Sequence, residues 1–588
     1  MNTLFIKRVV FDTIEFKGDF TVKWSMSSNI KVEYSDNIAT IHAPHKAALC
    51  RAISLTAKRV DCGDKNFTFS SPVNFDMCGG MLDMSRNGVM KVEAIKKFIA
   101  YNASMGNNML MLYTEDTYEI PEYRYFGYMR GRYTENELKE IDSYGQMLGV
   151  EIIPCIQTLG HLEQYLKWGE AAALKDTEGI LLCGAEDTYK FIDAAIKQLR
   201  KCFTSKRIHI GMDESEQVGR GRYLELNGLQ DRFEILNKHL EEVCKICKIH
   251  DFSPMMWSDM YFKINSDIHE YYDLNCVIKD DQSKLIPDVS MVFWDYYHSD
   301  KNVYDIMIKN HLLMGKEVIF AGGIWTWPGV LANLEYTFET MRPALQSCIE
   351  HGIKSAFATM WSDDGCETNH FYALPGLALF AEFCYSENEP TDLQVSDLLG
   401  WVCKMDLKDF TCMSSHYLTK SFFYTDILIN QTGLCDPAYE QNFIIKANQA
   451  YNDGDGKWAD YYSFVTMFYE IISIKANIAL NLRAQYLCKD TVYLEKLANI
   501  SLEDLAQRYE TCMLLHQKMW LSTYKPFGWE VINSRYATLV ARCKYASMRI
   551  NDFINGTIDT IEELDEQPIC EGLTAASYRR MITATGIF

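Results

Sequence analysis

Between residues 75 and 361 a short apolar run of strand length gives way to a longer stretch of helical periodicity eight times over, and no other feature narrows the choice of fold as far. The strand-like runs lie at 75–82, 108–113, 151–157, 207–212, 253–257, 289–294, 317–321 and 355–361. Each is followed by polar or glycine-rich residues and then by a helical stretch, such as 92–101, 135–147, 188–201 or 341–351. Eight strand–helix units in about 310 residues make a (β/α)8 TIM barrel, an α/β fold whose chemistry sits where the strands end. A doubly wound open sheet is the competing arrangement, but neither GxGxxG nor a P-loop follows any strand.

The barrel leaves two flanks. With 588 residues, 48% of them hydrophobic and 23% charged, the chain is globular and too long for one ordinary domain. Residues 1–73 carry short β-branched and aromatic runs and a helical pattern at 45–58, which predicts a small N-terminal α+β domain before a catalytic barrel at 74–395. From 396 to 588 the strand signals stop and an α-helical C-terminal domain is expected. Phe464, Phe468, Ile471, Ile474, Ile478 and Leu482 step by three or four along one helix, and NDGDG at 452–456 marks a turn before it. Its apolar stripe packs on the barrel or on a second subunit, so a homodimer is an expectation.

A net charge of −21 argues against nucleic acid as a partner, because phosphate binding needs clustered Lys and Arg. Lys7, Arg8, Asp12 and Glu15 interrupt the first apolar stretch, so it lacks the h-region of a signal peptide, and no later stretch offers about 18 uncharged apolar residues. A cytoplasmic protein without a membrane partner is expected. The 19 cysteines read as reduced core thiols. Cys244 and Cys247 form a CxxC, but no second ligand pair accompanies them; they fit the buried stripe of a helix at 232–249, with Phe233, Leu236, Leu240 and Val243.

The strand ends carry the chemistry. Asp213 and Glu214 follow the fourth strand directly, with His209 just before them. Adjacent carboxyls at a rim raise each other's pKa by like-charge repulsion and partial desolvation, so one stays protonated while the other is an anion. Alone the doublet is a weak signal, since such pairs also occur in solvated loops and at helix starts. The other rims strengthen it: Gln157 to His161, Trp257-Ser-Asp259, Trp294-Asp-Tyr-Tyr297, Gly322 to Trp327, and Trp361 to Glu367. Four of these five segments carry tryptophan, and tryptophan beside carboxylates describes a pocket that stacks on sugar faces and hydrogen-bonds hydroxyls.

The run His209-Ile-Gly-Met-Asp213-Glu214 resembles the H-x-G-x-D-E signature of glycoside hydrolase family 20, the β-N-acetylhexosaminidases, and the segments at 157–161, 294–297, 322–327 and 361–367 are similar to its intracellular and bacterial branch. The resemblance covers roughly residues 70 to 400. It implies an exo-acting enzyme that removes terminal non-reducing β-linked GlcNAc, GalNAc or both, with the substrate's own acetamido oxygen attacking C1 to give an oxazolinium intermediate. It further implies Glu214 as general acid and base, Asp213 as the partner of the acetamido N–H, and a tyrosine holding the acetamido oxygen. Strand alternation favours Tyr296 for that tyrosine, with Tyr297 in reserve. Trp257, Trp294, Trp325 and Trp361 are candidates for the box around the sugar, His161 and His209 for orienting or structural roles, and Asp363, Glu367 and Glu115 for sugar hydroxyls, although Asp363 or Glu367 could equally cap the helix that follows. At strand one, where the family has an arginine, this chain reads Cys78-Gly-Gly-Met-Leu-Asp83, with Arg86 and Glu115 close by in the strand-end loops. No cofactor is expected.

Two other classes fit parts of the pattern. His161, His209, Asp213 and Glu214 could ligate a metal in a barrel hydrolase, but no H-x-H or H-x-x-x-H pair supplies two imidazoles from one element. A silent sugar-binding protein could keep the aromatic box, and retention of both Asp213 and Glu214 speaks against it.

Overall fold

The computed structural model describes residues 3–412, 417–429, 456–566, 577–583 and 585. Most of the turn expected at 452–456, and part of the helical region beyond 396, lie outside the described residues.

The chain opens on a helix, Thr3–Ile14, where the sequence reads as β-branched runs. Ile6, Val10 and Ile14 recur every four residues and are buried, so packing of that stripe overrides the weak helix propensity of its valines and isoleucines. It packs beside a four-stranded sheet, β1 (Thr21–Met26), β2 (Ile30–Ser35), β3 (Ile38–Ala43) and β4 (Phe67–Ser71), in the order β1-β3-β2-β4. Helix Lys46–Asp61 covers this sheet and extends three residues past the expected 45–58.

Eight parallel strands then close on themselves: β5 (Met77–Asp83), β6 (Met109–Thr114), β7 (Glu151–Ile156), β8 (Arg207–His209), β9 (Ser253–Trp257), β10 (Ser290–Trp294), β11 (Val318–Gly323) and β12 (Ser355–Met360). Closure is the pairing of β12 with β5, in register from Ser355 against Met77 to Met360 against Leu82. Strands walled by helices outside and by one another inside are apolar on both faces, and β5, β6, β11 and β12 are buried at every position. This is the (β/α)8 barrel expected from the alternation.

One strand departs from its expected length. The regular ladder of the run 207–212 ends at His209, with Ile210 still donating to Met255 (2.9 Å) and Gly211 accepting from Trp257 (3.2 Å), because Gly211 (φ 72°) and Met212 (φ 72°) turn into the left-handed region. Only glycine fits at 211, where a Cβ would lie 2.1 Å from Gln157 Oε1. The early exit of β8 delivers Asp213 and Glu214 to the rim.

Beyond the barrel, helices Leu502–Thr523 and Trp529–Ile554 form an antiparallel pair against which Ala459–Leu487 packs. The last carries the predicted stripe, with Phe464, Phe468, Ile471, Ile478 and Leu482 buried and Ile474 partly so. By length and composition this helix could cross a membrane, at mean hydropathy 1.3, but half of that stretch is buried within the fold. Its Lys475 is buried and donates to the carbonyls of Phe423 (3.1 Å) and Thr425, at the C-terminal end of helix Tyr417–Tyr424. Cys247 is buried and Cys244 partly so on helix Arg232–Ile249, as the helix-face reading of the CxxC expects.

A buried ion network fastens the helices to the β12 loop. Glu367 accepts from Arg535 (2.8 Å) and Tyr424 and pairs with Lys420 (2.6 Å), while Asp364 pairs with Lys420 (2.8 Å) and Arg535 (3.1 Å). Glu367 is therefore not available to a sugar hydroxyl as the sequence suggested, because every partner that compensates its burial comes from the helical region. Removing one member leaves a buried Glu367 charge short of its compensation. Lys420→Met should lower the unfolding free energy by about 3 kcal/mol in urea denaturation; a loss under about 1 kcal/mol would show that the carboxylates are compensated elsewhere.

Candidate active site

The ends of β5 and of β7 through β12 converge on a narrow pocket of about 80 Å³, lined by Arg86, His161, the Asp213–Glu214 pair, Tyr296, Tyr297, Asp363 and four tryptophans. The tryptophans are Trp257, Trp294, Trp327 and Trp361. Trp325, named from the sequence, stands behind Trp327 (ring centroids 4.6 Å apart) and donates its indole N–H to the Tyr296 carbonyl at 2.9 Å. The W-x-W spacing puts two tryptophans in one loop, and periodicity alone does not choose between them once the strand has ended.

The two carboxyls are held differently. Asp213 is 7% exposed, and its Oδ1 accepts from Gln157 Nε2 at 2.8 Å. Its Oδ2 lies 3.2 Å from His161 Nε2, which also stands 3.5 Å from Glu214 Oε2. Burial works against an Asp213 charge, but the His161 cation and the Gln157 bond outweigh it and hold the carboxyl below the usual aspartate range. Burial likewise disfavours the His161 cation, and Asp213 overrides it, lifting the imidazole to about 10. The Glu214 side chain is 48% exposed at the pocket mouth, and partial desolvation followed by the Asp213 charge raises its pKa. Both His161 (φ 52°) and Glu214 (φ 47°) sit in the left-handed region, which costs of order 1–3 kcal/mol each and is retained where surrounding structure imposes it.

Two supports were less legible. Gln157 also donates to the Tyr113 hydroxyl at 3.0 Å and receives the Met212 N–H at 3.3 Å, so one amide orients both the anion and the backbone before it. Asp259, fully buried after β9, accepts the Glu214 N–H at 2.9 Å. Burial, then the Asp213 charge, drives its pKa well above the ordinary range, which favours the neutral carboxyl. His209 lies outside the pocket lining, buried against Trp257 with ring centroids 4.4 Å apart; burial depresses its pKa to about 3, and it packs as a neutral ring.

Tyr296 is the buried member of the tyrosine pair. Its ring stacks on Trp294 at 5.5 Å and its hydroxyl accepts from Trp361 Nε1 at 3.1 Å, leaving the O–H proton to donate. Burial puts its pKa well above the usual tyrosine value. Tyr297 is 48% exposed and lines the outer wall.

At strand one, Cys78 lies near the start of β5, away from the rim, with its thiol directed at the Phe380 carbonyl (3.6 Å). The guanidinium that reaches the pocket is Arg86, three residues past β5, stacked over Tyr113 (4.9 Å) and Trp361 (5.1 Å). Asp83 (2.9 Å) and Glu115 (3.2 Å) clamp it. Glu115 is absent from the lining of this pocket but lines the larger cleft beside it, and burial raises its pKa to about 7. Among the described residues no group of three or more His, Cys, Asp or Glu side chains is placed to hold a metal ion.

The family model "Glycosyl hydrolase family 20, catalytic domain" matches residues 75–303, and "Glycoside Hydrolase 20C C-terminal domain" matches residues 406–581. The chain belongs to glycoside hydrolase family 20. The first match runs from β5 past β10 and contains the Asp213–Glu214 pair; the second spans the helical region that closes over the β12 loop. Hexosaminidase D of Bos taurus is 24% identical over 234 residues, 38% of this chain and 62% of that protein. Hexosaminidase D of Homo sapiens is 27% identical over 192 residues, 30% of this chain and 38% of that one. The chain thus spans less than two thirds of the length of these relatives. Among solved structures, a family 20 exo-β-N-acetylglucosaminidase from Vibrio harveyi, in complex with N-acetylglucosamine, has a TM-score of 0.51 at 16% identity, covering 68% of this chain and 70% of that one. At that identity the likeness shows the shared fold.

The His161 cation leaves a signature in stability. A histidine whose folded-state pKa is raised stabilises fully below its unfolded value, about 6.5, and that contribution is lost as pH climbs toward about 10. Wild type should therefore lose stability relative to His161→Gln across this window in denaturation at stepped pH, and parallel curves would show that Asp213 does not hold the imidazole charged.

Proposed function

We propose that the chain is an exo-acting β-N-acetylhexosaminidase that removes terminal β-linked GlcNAc or GalNAc from glycans by substrate-assisted, configuration-retaining hydrolysis. The observation that carries this reading is the divergence of two adjacent carboxyls, Asp213 held as a buried anion and Glu214 raised at the mouth, beside a tryptophan-lined pocket too narrow for an extended chain. Family membership and the Hexosaminidase D relatives support the substrate class.

In the first step the acetamido oxygen bonds to C1 as the C1–O bond to the leaving group breaks, and Glu214 gives its proton to the departing oxygen. Asp213 accepts a hydrogen bond from the acetamido N–H and offsets the positive charge that spreads over the oxazolinium ring. The Tyr296 hydroxyl donates to the acetamido oxygen and fixes its line of attack. Water then adds to C1 with its proton passing to Glu214, now the base, and the ring opens to regenerate the acetamide. Two displacements at C1 return the original anomeric configuration. Arg86, clamped by Asp83 and Glu115, is positioned to grip ring hydroxyls.

The assay compares nitrophenyl β-GlcNAc and β-GalNAc with the β-glucoside. Turnover of an acetamido sugar and little of the glucoside is expected, and equal rates would refute participation of the acetamide. Glu214→Gln should lower kcat/KM about 10³-fold on a disaccharide and far less on a dinitrophenyl glycoside, whose leaving oxygen needs no proton. Equal losses on the two substrates would remove Glu214 from the role of acid.

A further inference from the structure

A second cavity opens beside the pocket, a cleft of about 1120 Å³ between the barrel rim and helix Trp529–Ile554. Small-ligand sites run from about 300 to about 1,000 Å³, so this one exceeds the needs of one sugar. Arg86 and His161 line both cavities. His161 also stands 3.5 Å from the Glu214 carboxyl, so the shared wall lies beside the group that meets the scissile oxygen.

The barrel side of the cleft carries an unusual surface. Tyr125, Tyr128 and Trp168 pack on one another with ring centroids 5.1 to 5.8 Å apart, yet Tyr125 and Tyr128 remain 43% and 44% exposed. Tyr128 and Trp168 line the cleft, with Tyr125 packed beside them outside its lining, and together they form a stacking platform. The loop presenting them is built with strain, since Met129 holds φ 59° between Gly127 (66°) and Gly131 (71°). It is also pinned: Arg130 donates to Asp116 (3.2 Å) and Asn87 (3.0 Å). Lys167 lines the cleft, bonded to Gln164 (2.8 Å) and lying over the Trp168 ring (5.5 Å), with further N–H donors for hydroxyls.

We infer that this cleft is the leaving-group site, and that the substrate class is an oligosaccharide of at least three sugars, its terminal N-acetylhexosamine in the pocket and the following sugars stacked on Trp168 and Tyr128. This rests on the hydrolase reading above. The specificity of the protein for its glycan then resides in the 125–168 surface and the facing helix, whereas the pocket reads only the terminal sugar.

The test is a length series. Initial rates are measured on nitrophenyl β-GlcNAc and on β-1,3- and β-1,4-linked GlcNAc-terminated oligosaccharides of two to five units. In at least one linkage series kcat/KM should rise about tenfold from two units to four. Trp168→Ala, Tyr128→Ala and, from the opposite wall, Ser534→Trp should each collapse the tetrasaccharide-to-disaccharide ratio toward one, chiefly through KM. A variant damaged only in folding would lower both rates and keep the ratio, so a ratio preserved in all three variants overturns the assignment. Turnover of the nitrophenyl glycoside with a flat series in both linkages also overturns it while leaving the hydrolase reading intact; no turnover of any substrate overturns both.

Discussion

Three carboxyl groups, Asp213, Glu214 and Asp259, crowd the ends of two neighbouring strands, and the low-dielectric rim cannot hold all three as anions. The fold answers with one cation and one amide, both directed at Asp213. His161 and Gln157 take that residue as the site of the charge, and burial first, then the field of that charge, raises Glu214 and Asp259. Much of the local architecture serves this choice, including the early exit of β8, the glycine at 211 and the strained φ values at His161 and Glu214.

The barrel was legible because strand and helix periods differ, and because eight repetitions leave few alternatives. Its rims were legible by residue type: tryptophan, carboxyl and tyrosine collected where the strands end. Geometry beyond the strand ends was not. Trp325 and Trp327 share a loop in which alternation no longer holds, so the pocket ring was misassigned by one step. Glu367 reads as an exposed rim carboxylate until Lys420, Tyr424 and Arg535 arrive from more than fifty residues away in sequence. Helix Thr3–Ile14 was obscured by β-branched residues whose stripe shows its meaning only against a packed neighbour.

Strand one shows how a site can keep a charge while moving its source. The position that carries arginine in the family pattern is Cys78, sealed near the base of the barrel, while Arg86 enters from the loop above and is held flat by Tyr113 and Trp361. A guanidinium brought in on a loop is aimed by its neighbours rather than by the strand, so Asp83 and Glu115 become part of how the charge is presented to the pocket.

The ion network around Glu367 also bears on how the chain is made. Ribosomal synthesis completes all eight barrel strands by residue 360, whereas Arg535 emerges much later. Until then the β12 loop holds two carboxylates that lack their guanidinium partner, and water has to remain around them. Ordering of this rim is therefore a late event in the birth of the molecule: a nascent chain with a closed barrel would still carry an immature eighth loop.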